Sequence, residues 1–346
     1  MGVVKKPGSI LAFMPASLDL NCVASPSTLD GLTPLLAKSN DVAERRQSPP
    51  VQEKAQIGRI LLLGESGFIG RHLGEFFRKC SSSIEVIGKS APALDLTREE
   101  DVESLADLFN LRTAVVMLAG IKRQLGDNLD TFTQNMQMTV NLCRLLESRP
   151  VNQFVFFSSA AVYGEEIHNL NITEETPAQP TSFYGAAKYV AECLLQKVVQ
   201  ARGEGSLLIL RPPVIYGPGD TGDGYGPSGF VRAAVNGETI SIWGDGEELR
   251  EFIFVEDVAK IVGTLTLSKC SGVLNLVSGK SYAYRDLLAS ISTALGRKVP
   301  TSSRPRSKKR VDHGFSSAGL RNLLPDFRFT PPKEGIRRLI AAQGTS

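Results

Sequence analysis

The sequence predicts an α/β fold: a doubly wound parallel sheet followed by a smaller C-terminal lobe. Three observations lead there. Short apolar runs alternate with helical segments from Ile57 to about residue 210, and a glycine-rich turn joins the first run to the first helix. After about residue 217 the alternation gives way to an irregular stretch with many glycines.

Taken in order, Arg59-Ile-Leu-Leu-Leu63 is apolar without alternation, as expected of a parallel strand covered on both faces. Gly64 to Gly70 follow it, then a helix through Phe77. Ile84-Glu-Val-Ile87 is the second strand, and a helix from Glu99 to Phe109 leads to the strand Ala114–Leu118. A long helix, Leu129–Leu146, precedes Phe154-Val-Phe-Phe157, and a helix over Tyr184–Gln200 precedes Leu207-Leu-Ile-Leu210. Strand and helix at this spacing give right-handed crossovers and a sheet whose carboxyl edge collects the loops that bind ligands.

Composition narrows the function. The chain has 346 residues, of which 42% are hydrophobic, as in an ordinary globular protein. A net charge of +3 is too small to argue for nucleic acid, and no apolar run approaches the roughly 18–20 residues that span a bilayer. Neither nucleic acid nor membrane is an expected partner. The basic run Arg304-Pro-Arg-Ser-Lys-Lys-Arg310 reads as a solvated loop. Cys22, Cys80, Cys143, Cys193 and Cys270 form no C-x-x-C pair and fit reduced thiols in a cytoplasmic protein. His72, His168 and His313 have no metal-ligand spacing, so no metal is expected.

Residues 1–56 read as a disordered extension, rich in proline and without a sustained period. Ser9–Leu20 is weakly apolar, but Pro15 and Asp19 interrupt it and no cleavage site follows. Residues 57–217 read as a Rossmann-type dinucleotide-binding domain, with later strands contributed from about 250–278, and 218–346 mainly as a substrate-binding lobe.

The dinucleotide reading rests on Gly64-Glu-Ser-Gly67-Phe-Ile-Gly70. The first glycine permits the tight turn and the second lets backbone approach a pyrophosphate. The third lets helix and strand pack, with the phosphate at the helix N-terminus. The second strand normally ends in an acid for the ribose of NAD; here that place holds Gly88-Lys89-Ser90. A lysine and a hydroxyl suit a 2′-phosphate, which tips the expectation from NAD toward NADP, the other reading being a solvated turn. Asp95 is placed either to face the adenine edge or to cap the next helix at Thr97.

Tyr184-Gly-Ala-Ala-Lys188 puts a tyrosine and a lysine four residues apart on one helix face. A phenol titrates near about 10. A neighbouring ammonium and a positive nicotinamide ring would lower that value and make Tyr184 an acid/base. Ser159, at the end of an apolar strand and 25 residues before Tyr184, can hydrogen-bond a substrate oxygen and relay its proton.

In order and spacing these residues resemble the extended short-chain dehydrogenases/reductases, in the NAD-dependent epimerase/dehydratase family acting on nucleotide sugars; UDP-galactose 4-epimerase is a member. The resemblance covers roughly residues 57–340. Besides the glycines it rests on Leu118-Ala-Gly120, Asn135 with Asn141-Leu, Ser159 through Tyr163-Gly164, and Tyr184 with Lys188. Further along it rests on Arg211-Pro-Pro-Val-Ile-Tyr-Gly-Pro218, Trp243-Gly-Asp-Gly246 and Arg250–Asp257. It implies that Ser159, Tyr184 and Lys188 are catalytic. It implies cofactor contacts from Gly64, Gly67, Phe68, Ile69, Gly70, Lys89, Ser90, Asp95, Leu96, Leu118, Ala119, Gly120, Asn135, Tyr184, Lys188 and Pro212. Asn135 would help to order an active-site water or Lys188. It implies substrate contacts from Ser159, Tyr163, Val214 and Arg250, the last on the nucleotide diphosphate. It also implies a homodimer built on the two long helices, near 129–146 and 184–200.

Departures narrow the reaction. Ala160 and Ala161 stand where the family's 4,6-dehydratases carry an Asp-Glu pair, so elimination of water is not expected. Val214 replaces the usual substrate asparagine, and Lys122 after Ala119-Gly120 is unusual, either reaching substrate or lying on the surface. The expectation is therefore an NAD(P)-dependent nucleotide-sugar 4-epimerase or 4-keto-sugar reductase. Two alternatives remain: a reductase of a non-sugar carbonyl, which Arg250 opposes, and a non-catalytic dinucleotide-binding protein, which Tyr184 and Lys188 oppose.

Overall fold

The computed structural model describes residues 56–80, 83–221, 225–306 and 309–343. The expected extension, residues 1–56, lies outside the described residues except for its last position. Within them the chain opens with β1 (Arg59–Leu63), α1 (Phe68–Cys80) and β2 (Glu85–Lys89). It continues with α2 (Glu99–Glu103), β3 (Thr113–Met117), α3 (Leu129–Ser148) and β4 (Gln153–Phe157). A short β5 (Asn169–Ile172) precedes α4 (Phe183–Arg202), β6 (Ser206–Arg211) and β7 (Val214–Tyr216). Then come α5 (Pro227–Val235), β8 (Ile240–Trp243), β9 (Leu249–Phe254), α6 (Val255–Leu267) and β10 (Gly272–Asn275). The remainder is β11 (Ser281–Ala283), α7 (Tyr284–Leu295), β12 (Thr301–Arg304), β13 (His313–Phe315), α8 (Ala318–Leu323) and α9 (Pro332–Gln343).

Six strands form the main sheet in the order β10-β6-β4-β3-β1-β2, every neighbouring pair parallel. Both faces are covered, which is why its strands read as unbroken apolar runs. Along β1 the residues alternate between two cores. Ile60 and Leu62 pack with Leu73 and Phe77 of α1 and with Val258 and Val262 of α6. Leu61 and Leu63 pack with Leu142 and Leu146 of α3 and with Ala191 and Leu195 of α4. The result is three layers, helix on sheet on helix. Chain order reverses between β1 and β3, so the crevice above their carboxyl ends is the switch point at which doubly wound folds bind ligands.

The sequence-expected helix over Glu99–Phe109 is shorter. It ends at Glu103, where the Ser104 hydroxyl donates to the Asp101 carbonyl (2.6 Å), and resumes as one tight turn over Ala106–Leu108. Of the later strands expected to join the main sheet, β10 does so, whereas β9 pairs with β7 and β11 in a separate three-stranded sheet. Around that small sheet, Tyr216, Phe230, Phe252, Phe254, Tyr284 and Ile336 build a separate core. The lobe is tied to the cofactor end of the sheet by α1, whose Arg71 and His72 reach the carbonyls of Gly219 (3.1 Å) and Pro218 (2.9 Å). Among the described residues no helix is long and apolar enough to cross a membrane.

The basic run is not simply solvated. It begins in β12, Arg304 lies over the Trp243 ring (4.6 Å), and Arg310 pairs with Asp312 (2.9 Å). Cys80, Cys143 and Cys193 are free, as the reduced-thiol reading expects; Cys270 is disulfide-bonded, against it.

Candidate active site

Three glycines shape the turn between β1 and α1, each for a steric reason. Gly64 lies in the left-handed region (φ +98°), and a Cβ there would stand 2.9 Å from the Ala119 nitrogen. At Gly70 a Cβ would meet the Gly64 oxygen at 2.3 Å and the Glu65 Cα at 2.6 Å. Gly67 is tight as well, 3.2 Å from the same oxygen. The bare backbone and the first N–H groups of α1 therefore face the crevice, where they suit a pyrophosphate. Across the switch point the N–H groups of Leu118 and Ala119 both donate to the Leu63 carbonyl at 2.9 Å, which brings the Leu118–Gly120 loop against Gly64. Asn135 on α3 clamps the Ile121 backbone, accepting at 2.8 Å and donating at 3.1 Å. Its Oδ1 and the Lys188 Nζ each lie 3.4 Å from where a Gly120 Cβ would stand. This cradle fits a dinucleotide.

The expected catalytic residues converge on the next part of the edge. Ser159 follows the end of β4 and caps the turn Ala160–Tyr163, its Oγ accepting from the Ala161 N–H at 3.1 Å. Ala160 donates its N–H to the Pro212 carbonyl (2.9 Å), which holds that turn against the end of β6. The first turn of α4 is capped twice: Ser182 accepts from the Gly185 N–H (3.0 Å) and Asp127 from the Tyr184 N–H (3.0 Å). Tyr184, thus fixed, lies close enough to the Ser159 side chain for that hydroxyl to lower its phenol pKa. One turn on, Lys188 lies 5.8 Å from the Tyr184 ring centroid and donates to the Phe157 carbonyl at 2.7 Å.

Burial pushes the Tyr184 phenol up to about 12, Ser159 working against the rise and the Glu165 carboxylate adding to it. Burial also brings Lys188 down to about 8, opposed by Glu192. Burial by itself therefore favours the neutral phenol of Tyr184.

Several residues at the mouth carried no signal in the sequence. Arg123 bridges Glu165 (2.7 Å) and Asp127 (3.5 Å), so two loops meet in a charged rim beside Tyr184. The Glu165 Oε2 is buried with no hydrogen-bond partner among the described residues. The unusual Lys122 is exposed; its neighbour Arg123 makes the contact.

Other expected contacts are placed differently. Tyr163 is buried, its hydroxyl accepting from Arg211 (2.9 Å) and donating to Asn275 (2.7 Å), so it supports the strand end rather than facing a substrate. Asp95 bonds Thr97 in a tight turn ahead of α2, whose N-cap is Arg98; its Oδ1 accepts from the Thr97 N–H (2.9 Å) and hydroxyl (2.7 Å), which lowers its pKa. Leu96 is buried in the core beside α3. Phe68 meets His72 edge-on, and Ile69 leans on the main core. Val214 is half-buried against the core of the lobe. Arg250 stands at the start of β9 with its guanidinium on Glu248 and on the carbonyls of Leu249 (2.9 Å) and Val311 (2.5 Å). The Ser90 hydroxyl accepts from the Ser66 N–H (2.9 Å), and Lys89 is exposed.

The fold and the glycine cradle together define a doubly wound, dinucleotide-binding protein. The NAD dependent epimerase/dehydratase family matches residues 60–275, more than half of the chain, and the chain belongs to that family. UDP-glucose 4-epimerase of Dictyostelium discoideum is 28% identical over 302 residues, covering 75% of this chain and 87% of that one. Among solved structures, UDP-glucose 4-epimerase of Thermus thermophilus in complex with NAD superposes with a TM-score of 0.73 at 24% identity, over 83% of this chain and 100% of the other. A dTDP-glucose 4,6-dehydratase of Bacillus anthracis in complex with NAD gives 0.72 at 18%, over 83% and 96%. At these identities the likeness is one of fold, and it is as great to a dehydratase as to an epimerase.

Proposed function

We propose that the chain is an NAD(P)-dependent nucleotide-sugar 4-epimerase, with a UDP-hexose as the first substrate to try. The observation that carries this reading is the convergence of Ser159, at the end of β4, and Tyr184, in the first turn of α4, at the carboxyl edge of the sheet, with Lys188 one helical turn on. Ala160 and Ala161 argue against dehydration, because neither methyl group can deliver or remove a proton. The nicotinamide, when bound, supplies the hydride acceptor and, oxidised, a positive ring.

Within that reading Tyr184 works as the phenolate that the positive ring of an oxidised nicotinamide would favour, and Ser159 holds the C4 oxygen of the sugar and passes its proton to that phenolate. The tyrosine returns the proton once the ketone is reduced from its other face. Lys188 steadies the phenolate, and Asn135, by clamping Ile121, keeps the Gly120 loop against it. Arg250 takes the diphosphate, which must draw its guanidinium away from Glu248. The tilt toward NADP(H) is not carried forward, because the Ser90 hydroxyl is engaged by Ser66 and Lys89 lies outside the cavity at the strand end. Leu129, Phe183 and Val190, exposed on the adjoining α3 and α4, favour a homodimer through those helices.

The test is to identify the dinucleotide released from purified protein and then to supply UDP-, GDP-, dTDP- and CDP-hexoses. Interconversion at C4 with no net change in absorbance of the reduced nicotinamide is expected. Stoichiometric consumption of NAD(P)H with a 4-keto sugar would make it a reductase instead.

A further inference from the structure

We propose that Glu65, in the glycine turn, supplies the carboxylate for the adenosine ribose that position 88 has given up, and that it makes the protein select NAD over NADP. The inference rests on the dinucleotide-binding reading above. In doubly wound folds an acid about 20 residues beyond the glycine turn, at the end of the second strand, accepts from the ribose hydroxyls. Here the penultimate residue of β2 is Gly88, paired with Leu62 of β1.

Gly88 is not merely a lost acid. A Cβ built there would lie 1.4 Å from Glu65 Oε2 and 2.2 Å from its Cδ, so the Glu65 carboxylate fills the volume in which a side chain of residue 88 would begin. Gly74 on α1 makes room from the other side, where a Cβ would stand 2.5 Å from Glu65 Oε1. Arg78, one turn further along α1, donates to that Oε1 and fixes the side chain. The carboxylate is therefore held between two glycines and an arginine, with Oε2 over the strand end.

The same place opens into a cavity of about 580 Å³ lined by Glu65, Gly88 and Ser90 together with Arg71, Arg78 and Lys79. Three cations line this place, and two of them already face carboxylates of the chain, which leaves Arg71 on a neutral carbonyl. Arg78 is on Glu65, Lys79 on Glu75 (2.5 Å), and Arg71 on the Gly219 carbonyl (3.1 Å). A ribose 2′-hydroxyl can donate to Oε2, whereas a 2′-phosphate would bring two anions together. A local exchange links the two positions: the turn acquires an acid, and the strand end becomes glycine to admit it.

Binding of NAD+ and NADP+ to the purified full chain, measured by titration calorimetry, tests this without reference to turnover. The wild type is expected to bind NAD+ at least about ten-fold more tightly. Glu65→Gln, which keeps the shape, reduces that ratio by about the same factor, chiefly by weakening NAD+. Gly88→Asp alone loses NAD+ binding because two carboxylates contend for one volume. Glu65→Ala combined with Gly88→Asp regains it, a rescue that a merely structural Glu65 would not give. Equal or tighter binding of NADP+ by the wild type overturns the proposal and leaves the dinucleotide reading standing. So does an unchanged ratio in Glu65→Gln. Failure of the wild type to bind either dinucleotide overturns both.

Discussion

Arg211 and Glu192 form a buried two-point ion pair beneath the end of β4, Nε to Oε1 at 3.0 Å and Nη2 to Oε2 at 2.6 Å. Ser158, the neighbour of Ser159, donates to the same carboxylate, and Arg211 also holds the Tyr163 hydroxyl. Glu192 lies four residues beyond Lys188, so a single face of α4 carries both the proposed proton-transfer groups and the anchor of the strand that faces them.

Removing one partner of this pair strands the other charge. Glu192→Ala is expected to cost about 3–5 kcal/mol in denaturant unfolding, and Glu192→Ala with Arg211→Met to recover most of it. A loss below about 1 kcal/mol for the single variant would mean that water reaches Arg211.

Tyr184→Phe removes the proposed acid/base and keeps the ring. Turnover is expected to fall by about 10²–10⁴ with dinucleotide affinity nearly unchanged, read by steady-state assay and calorimetry. Epimerisation at an undiminished rate in that variant would be incompatible with the mechanism proposed here.

Glu251 is buried on β9, with Oε1 accepting from the N–H groups of Ser278 and Gly279 and Oε2 without a partner among the described residues. Burial raises its pKa from 4.5 to about 7. A carboxyl raised on folding contributes stability below its unfolded value and loses it as pH rises through the folded one. Glu251→Gln should therefore match the wild type at pH 4.5 and exceed it by roughly 1–3 kcal/mol at pH 8. Unfolding midpoints at the two pH values decide; an equal shift at both would rule out titration as the cause.

Two glycines make a matched pair of probes. Gly70→Ala drives a methyl into the Gly64 carbonyl and should weaken dinucleotide binding by at least about ten-fold. Gly203, the left-handed cap of α4, has nothing within 4 Å of a built Cβ. Gly203→Ala should cost about 1 kcal/mol of stability and leave binding intact.

What the sequence disclosed follows from how local each interaction is. Gly64, Gly67 and Gly70 were legible because steric constraints act between near neighbours in the chain. Ser159 and Tyr184 were legible because a strand end and the first turn of the following helix meet in any right-handed crossover. Arg123 and Asp127, on one loop, and Glu165, on another, were not, because loops far apart in the chain meet without a periodic signature. Tyr163 was misplaced for a related reason: adjacency to Ser159 does not tell which way a tight turn sends the ring, and here it points inward. Glu65 occupied a variable position of the glycine motif, and only the geometry relates it to Gly88.

The outermost strand of the main sheet, β10, comes from residues 272–275, after the chain has left β6 and built much of the lobe. During synthesis the β6 edge therefore waits, its peptide groups unpaired, until those residues emerge, and an edge in that condition invites pairing with another chain. A polypeptide cut after residue 217 would keep that exposed border permanently. Attempts to express the dinucleotide-binding portion alone should accordingly extend through 275, or they will select for aggregation.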